Sequence, residues 1–207
     1  PDPGYAVLGD PPAPVAPPPP APVAAANQQL EALFEAYFED TLRANPLLAT
    51  YIGDHRYDDP LPNSIGPDHR AAAKRMNDRY LAEVQAIDPS SLSPAERTSY
   101  DIFLRERLRA RAAERFPDHL LPLNQAGSLL TLMPSLGSGS NAQPFATVQD
   151  YENWLQRLDG MVIWMDQAIV NMREGIAKGV VQPRPVMEKV LPQLDAMIVA
   201  EPAESTF

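Results

Sequence analysis

The residues best suited to chemistry lie together in one short segment, GDHRYDD at 53–59. There, a histidine that can exchange a proton near neutral pH stands beside carboxylates, which is the combination found in acid–base sites. The same residue types also build turns, because aspartate bonds its own backbone and glycine supplies positive φ. We favour a polar loop between two helices, with Arg56 paired to Asp54 or Asp58. The alternative is a catalytic or substrate-binding surface formed by His55, Arg56, Tyr57, Asp58 and Asp59.

A second candidate for substrate contact is the polar pair Asn124 and Gln125, in the segment PLNQAG. The pair interrupts a strongly apolar stretch of the sequence. Such side chains either satisfy backbone groups that the fold buries or reach the backbone of a bound substrate. The sequence favours neither interpretation, and both stay open.

The histidines do not form a recognisable metal motif. None of His55, His69 and His119 is followed by glutamate, and no two of them are three to five residues apart. A helical zinc pair of the HExxH type is therefore absent from the sequence. The chain also has no cysteine, which excludes a thiol nucleophile and a cysteine-ligated zinc. We therefore expect the histidines to be solvated loop residues. We predict no catalytic residue, metal ligand or cofactor in this chain. The alternative is a site assembled from distant His and Asp residues.

Composition restricts the class of partner. The chain has 207 residues, 27 acidic against 17 basic, and a formal net charge of −10. This length fits one domain or a part of a larger one. The acidic excess disfavours nucleic acid and an anionic membrane surface as partners. The longest apolar runs, such as residues 161–165, are far too short to span a bilayer, so no transmembrane segment is predicted.

The distribution of proline divides the chain into a tether, residues 1–26, and a helical domain, residues 27–207. The first segment holds ten of the 24 prolines, which predicts a Pro/Ala-rich, polyproline-like tether or, alternatively, a PxxP ligand for a partner domain. The domain should open with a helix that has Asn27 as its N-cap. That helix should end at Asn45, because the residue before Pro46 avoids the α region.

Two more helices and an irregular segment are predicted in the middle of the domain. One helix should begin at Pro67, and the next should follow SPAE, where Ser93 and Glu96 can form a capping box. Residues 117–146 are too apolar for a disordered linker and too rich in Pro, Gly and Ser for a helix. We therefore predict an extended strap there that can include a short strand.

The longest helix is predicted between Thr147 and Gly179, and a last one begins near Pro185. The long helix should bury a stripe made of Tyr151, Trp154, Leu155, Leu158, Val162, Met165, Ile169, Met172 and Ile176. The last helix has an apolar face with little following sequence to cover it, made of Val186, Val190, Leu194 and Met197. The predicted fold class is all-α, with about five main helices and one long irregular strap.

Five stretches that occur in a fixed order resemble one known family. They are FEAYFEDTLRANPLLATYIGDHRYDDPLPN, IDPSSLSPAERTSYDIF, LPLNQAGS, FATVQDYENWLQRLDGM and REGIAKGVVQPRPVMEKVLPQL. Each stretch alone has little specificity, but their order and spacing resemble the N-terminal part of the bacterial domain-of-unknown-function 885 family. The resemblance covers nearly everything after Asn27.

This resemblance implies a fold, an activity and a location. The family is similar to gluzincin zinc peptidases, largely helical proteins with a deep cleft, and its members are often exported proteins or lipoproteins. In such proteins the zinc-binding His-Glu motif lies in a later part, to which nothing in this chain corresponds, so no catalytic or metal residue carries over. Residues 27–207 would then be an incomplete scaffold and a wall of the cleft, with zinc implied only for the full-length protein.

The same resemblance implies partners. The catalytic residues would come from a missing C-terminal half or from a second chain of the same protein, and the substrate would be a peptide. The location would be the periplasm or cell envelope. The alternative is a free-standing helical binding module of the cell envelope, attached through the Pro-rich tether.

Overall fold

The computed structural model describes residues 20–201 and Ser205, and this part of the chain is all-α. Its helices are α1 (Ala21–Ala44), α2 (Pro46–Tyr51), α3 (Pro67–Gln85), α4 (Pro94–Ala113), α5 (Leu129–Gly137), α6 (Val148–Lys178) and α7 (Arg184–Asp195). Single turns of 3-10 helix lie at His55–Tyr57, Pro89–Ser91 and Asp118–Leu120. The all-α prediction is confirmed, while the short strand suggested for the strap does not occur in the described residues.

The first helix begins earlier than its sequence pattern predicts. Helix α1 starts at Ala21, not after Asn27, so the expectation that proline keeps residues 21–26 out of a helix is wrong. Pro22 is tolerated because it lies in the first turn, where backbone N–H groups have no intrahelical acceptor. The Asn27 side chain instead accepts a hydrogen bond of 3.1 Å from the backbone N–H of Ser93. The predicted tether up to residue 19 lies outside the described residues.

Helices α1, α3 and α4 enclose the first of two apolar cores. The predicted starts at Pro67 and Pro94 are confirmed, and the Ser93 hydroxyl accepts from the backbone N–H of Glu96 at 3.3 Å. Only this half of the predicted capping box is present, because Asn27 takes the backbone N–H of Ser93 that Glu96 was expected to bind. The buried members of this N-terminal cluster are Leu30, Leu33, Tyr80, Leu81, Val84, Ile87, Leu92 and Tyr100.

The segment predicted as an extended strap contains helix α5, so that prediction is wrong for residues 129–137. Pro134 lies inside the helix and removes one backbone hydrogen bond, at a cost of about 3 kcal/mol. Leu130, Met133 and Leu136 are fully or almost fully buried, and burial of each contributes about 1.5–3 kcal/mol. Packing therefore outweighs the unfavourable local sequence.

Helix α6 begins and ends where its sequence predicts, but it buries a different face. Thr147 and Asp150 form a complete capping box, and Gly179 closes the helix in a left-handed conformation with φ of 71°. The buried seam consists of Trp154, Arg157, Met161, Trp164, Ala168, Asn171 and Gly175. The exposed seam consists of Tyr151, Leu155, Leu158, Val162, Met165, Ile169, Met172 and Ile176. Six of these are exposed, whereas Leu158 and Met172 are half-buried and pack against the second core. Trp154 is thus the one fully buried member of the stripe predicted to be buried, Leu158 and Met172 are half-buried, and the other six members are exposed.

Helix α7 completes the second apolar core. Val190 is buried, and Val186 and Leu194 pack against the same core, so the expectation that this face lacks a cover is wrong. The buried members of this C-terminal cluster are Leu61, Leu123, Leu130, Met133, Leu136, Trp154, Met161, Trp164, Ala168 and Val190. The two tryptophans of α6 thus lie in one core.

Candidate functional site

Arg157 lies fully buried in the N-terminal third of α6 and organises a polar centre. Its Nη2 donates to the Thr50 hydroxyl at 2.6 Å and to the Tyr57 carbonyl at 2.7 Å. Its Nη1 donates to the side-chain oxygen of Gln143, in the loop before α6. One guanidinium therefore holds together α2, the turn that contains the candidate residues, and the start of the longest helix.

Asp58 supplies the opposite charge at this centre. Its side chain is 2% exposed, one of its oxygens accepts from Thr50 at 2.6 Å, and the nearest Arg157 nitrogen is 3.8 Å away. Burial lowers the pKa of Arg157, and the negative charge of Asp58 opposes that shift. The carboxylate is thus engaged inside the fold, with Thr50 placed between the two charges.

His55 is the candidate residue that faces solvent with a fixed orientation. Its Nδ1 lies 2.7 Å from the second oxygen of Asp58, while its side chain is 56% exposed. A buried carboxylate behind one ring nitrogen is the arrangement that orients a histidine for proton transfer or for a hydrogen bond to a ligand. Asp58 therefore joins His55 to the buried centre.

Arg56 points away from that centre and pairs with two half-buried carboxylates. Its guanidinium lies 2.6 Å from Asp54 and 2.9 Å from Glu39 of α1. These hydrogen bonds lower the pKa of both carboxyl groups. The predicted pairing with Asp54 is confirmed, whereas Asp58 is not a partner of Arg56. The Arg56 guanidinium also lies 5.4 Å from the centre of the Tyr57 ring.

Asn124 and Gln125 make separate contacts, the first within its own turn and the second with α7. The Asn124 side-chain oxygen accepts from the backbone N–H groups of Ala126 and Gly127, at 2.9 and 2.7 Å. The Gln125 carbonyl accepts from the Gln193 side chain of α7 at 3.1 Å. The side chain of Asn124 therefore satisfies backbone donors of its own turn, but these donors belong to exposed residues and are not the buried groups that one interpretation expected.

A cavity of about 260 Å³ separates the two segments that contain the candidate residues. Leu61 and Ser64, which follow the first segment, line one side, and Gly127 and Ser128, which follow Asn124 and Gln125, line another. Trp164 also lines the cavity and donates to the Ser64 hydroxyl at 3.3 Å. Apolar walls with a few fixed polar groups are typical of ligand sites. None of the predicted residues lines this cavity, although residues that follow each of the two segments do.

The described residues do not fit a zinc site. No group of three or more His, Cys, Asp or Glu side chains placed to hold a metal ion occurs among them. His55 is bound to Asp58, and His69 Nε2 lies 3.2 Å from the Ala44 carbonyl oxygen. Burial lowers the pKa of His119, which lies on another part of the fold. The three histidines thus lie at separate places in the fold.

One comparison identifies the family. A family model described as "Bacterial protein of unknown function (DUF885)" matches residues 46–207. The chain belongs to this family. The DUF885 match covers α2 to α7 and leaves α1 outside, although the resemblance seen in the sequence included part of α1. A search of curated proteins and a search of solved structures each find no match.

The DUF885 match includes every candidate residue and most of the residues that line the cavity, of which Ala44 and Asn45 lie outside the match. Within the described part of the chain, no helix is both long enough and apolar enough to cross a membrane.

Sequence reasoning missed the residues that fix this site, namely Thr50, Gln143 and Arg157. A signal was available for Arg157, because it occupies one position of a seam whose other members include Trp154 and Met161. An arginine inside an apolar heptad pattern is a sign of a buried polar network. Thr50 and Gln143 carry no comparable signal.

Proposed function

We propose that this chain is the scaffold and one wall of the substrate cleft in an exported zinc-metallopeptidase-like protein. The catalytic residues and the zinc would then belong to another part of that protein or to a second chain. The DUF885 match over residues 46–207 supports the family on which this proposal rests.

The observation that carries the proposal is that Asp58 and Arg56 of the 53–59 segment already have charged partners within the fold. Asp58 is buried against Thr50 and lies 3.8 Å from Arg157, and Arg56 is bound by Asp54 and Glu39. These groups hold the segment in place on α2 and α6. A segment that is held in this way positions a surface, and in this proposal the hydrolytic chemistry comes from another part of the protein.

The substrate in this proposal is a peptide that lies along the cavity between Leu61–Ser64 and Gly127–Leu129. From the 53–59 segment, this proposal assigns His55 as a polar contact for the peptide, because Asp58 orients its ring and more than half of the side chain is exposed. The location in this proposal is the periplasm or cell envelope, which agrees with an acidic chain that carries a Pro/Ala-rich N-terminal tract.

A peptidase assay tests the first part of the proposal. We expect the purified chain, supplied with zinc, to leave a mixed library of peptides uncleaved, as measured by mass spectrometry. Hydrolysis that a chelator abolishes would contradict the assignment of the catalytic residues to another part of the protein. The matched control is the Asp58→Asn, Asp59→Asn double variant, whose retained cleavage would also exclude the 53–59 segment as its origin.

A labelling experiment tests the cleft. A peptide carrying a photoreactive benzophenone group should crosslink to residues 61–64 and 127–129, mapped after proteolysis. Gly127→Leu should reduce the crosslinking, because the new side chain enters the cavity and the nearest atom to an added Cβ is 3.9 Å away. Labelling confined to other surfaces would contradict the cleft assignment.

The exposed seam of α6 favours a second candidate, a free-standing helical binding module of the cell envelope. Mass spectrometry of the protein from its native cells, under denaturing conditions, separates the two. A second species from the same gene would support the scaffold. A single species of 22.7 kDa that folds cooperatively and stays monodisperse would support the binding module.

A further inference from the structure

The exposed seam of α6 is an apolar stripe with a regular repeat, and six of its eight members are exposed. From Tyr151 to Ile176 its eight members follow one another at intervals of four and three residues. At 1.5 Å per residue the stripe is about 38 Å long. Leu155, Val162 and Ile176 are 60%, 59% and 70% exposed. A large apolar side chain every 3.5 residues on average is the pattern that packs against another helix.

The seam leads into a cavity at its C-terminal end. Met172 and Ile176 both line this cavity, which measures about 160 Å³, together with Leu121, Val181 and Met187. A cavity of about 150 Å³ with such a lining can hold a benzene-sized group. A helix that covers the seam can therefore place one large apolar side chain in this cavity, which fixes its register.

The charges beside the seam define what can cover it. Glu152, Asp159 and Asp166 follow each other every seven residues along one edge, and all three are exposed. None of them forms an ion pair with another residue in the described part of the chain. The other edge of the seam is the buried seam itself. The edge that solvent reaches is thus mainly acidic, with Arg173 as its last member.

This acidic edge disfavours two other occupants. In an antiparallel pair that superimposes the seams of two copies, Asp159 of one copy lies near Asp166 of the other, and like charges placed together across an interface disfavour association. The net charge of −10 adds to that repulsion. A membrane surface with anionic lipids repels the same three acids.

We infer that the exposed seam is the docking surface for an amphipathic helix whose apolar stripe is flanked by lysine or arginine. Such a helix buries the stripe and pairs with Glu152, Asp159 and Asp166. That it belongs to the catalytic part of the same protein rests on the proposed function, whereas its chemistry follows from the seam alone.

Two synthetic 28-residue peptides test this inference. Both carry leucine and isoleucine at the a and d heptad positions, one has lysine at every e and g position, and the other has glutamate there. We expect the lysine peptide to bind the chain at least tenfold more tightly at low salt, and its affinity to fall as salt is added. Val162→Glu should abolish binding, whereas Ile102→Glu, on the exposed face of α4, should not.

A charge reversal keeps the test valid if Val162→Glu proves to be misfolded. The Asp159→Lys, Asp166→Lys variant changes only exposed residues and should reverse the preference, so that the glutamate peptide binds more tightly. Equal binding of both peptides, or binding of neither to the folded chain, would overturn the inference. So would a seam-dependent dimer in sedimentation. None of these outcomes decides the proposed function, which the peptidase assay tests. The docking inference and the proposed function can therefore fail separately.

Discussion

The Thr50 hydroxyl lies 2.6 Å from the guanidinium of Arg157, although the two residues are 107 positions apart in the sequence. The same hydroxyl lies 2.6 Å from the Asp58 carboxylate. It therefore bridges a buried cation and a buried anion whose nearest atoms are 3.8 Å apart. Through this bridge the segment with the candidate residues is fixed to the longest helix of the fold.

Removal of the buried cation should destabilise the fold strongly. Arg157→Met is expected to lower the free energy of unfolding by about 3–5 kcal/mol, because it leaves Asp58 buried without its opposite charge. Urea unfolding measures the change. Arg173→Met, at an exposed position of the same helix, is the control and should stay within about 0.5 kcal/mol of the wild type. A loss below about 1 kcal/mol in Arg157→Met would contradict the role given to this centre.

The two neighbouring aspartates of the 53–59 segment should differ in their effect. Asp58→Asn is expected to cost about 2 kcal/mol of stability, because the amide keeps the shape but loses the charge that faces Arg157. Asp59→Asn should cost less than about 0.5 kcal/mol, since Asp59 is only half-buried. Chemical denaturation of both variants makes the comparison. Equal effects would show that Asp58 has no special place in the centre.

Local signals in the sequence predict the helix ends well. Ser93 with Pro94, Thr147 with Asp150, and Gly179 are all used as predicted, because caps depend on residues three or four positions apart. Asn27 is the exception, because its partner Ser93 is 66 positions away. Nothing in the residues near Asn27 reports that contact.

The buried face of α6 could not be predicted from periodicity, because both seams repeat every 3.5 residues on average. The exposed seam is purely apolar and so gives the stronger pattern, while the buried seam includes Arg157, Asn171 and Gly175. Asn171 is buried because it donates to the carbonyls of Ile65 and His119, at 3.1 and 3.0 Å. Such tertiary partners decide which face is covered. The candidate segment was recognised by its residue types, but its anchor lies on a different helix.

The contact between Asn27 and Ser93 gives a prediction of its own. Asn27→Ala should lower the free energy of unfolding by about 1 kcal/mol, because the half-buried backbone N–H of Ser93 loses its acceptor. Gln28→Ala, at the next and exposed position, should change stability by less than about 0.5 kcal/mol. Thermal unfolding of the two variants separates the cases. If both are neutral, the contact contributes nothing to stability.

Gly160 allows the loop before α3 to approach α6 closely. A Cβ at this position would lie 2.5 Å from the Leu61 carbonyl oxygen, which is backbone and has no rotamer through which it can move away. Gly160→Ala should therefore destabilise the protein, although alanine is favoured over glycine by about 1 kcal/mol inside helices. Gly127→Ala is the control, since the nearest atom to its added Cβ is 3.9 Å away. Greater stability of Gly160→Ala would contradict this close contact.

Tyr80 and Asp40 join α3 to α1 in a way that depends on pH. The Tyr80 hydroxyl donates to Asp40 at 2.7 Å, and burial together with this hydrogen bond raises the pKa of Tyr80 to about 12, from 10.0. The hydrogen bonds from Tyr80 and Arg79 lower the pKa of Asp40 below its usual 3.8. The folded state therefore keeps Tyr80 protonated and Asp40 ionised across the range between these values.

Each shift sets one limit of the pH range in which the contact stabilises the fold. The raised pKa of Tyr80 gives stability that is complete below pH 10.0 and is lost as the pH rises to about 12. The lowered pKa of Asp40 gives stability that is present above pH 3.8 and is lost as the pH falls further. The free energy of unfolding, measured in urea at a series of pH values, should fall at both limits.

Comparison with Tyr80→Phe isolates this contribution. The variant should be less stable than the wild type by about 1.5 kcal/mol between pH 5 and 9, because a hydrogen bond to a charged acceptor is lost. The difference should shrink as the pH approaches 12, where the wild-type phenol also loses its proton. Tyr51→Phe, at an exposed position, is the control and should show no such dependence. A Tyr80→Phe difference that stays constant up to pH 12 would contradict the link between burial, hydrogen bonding and stability at this contact.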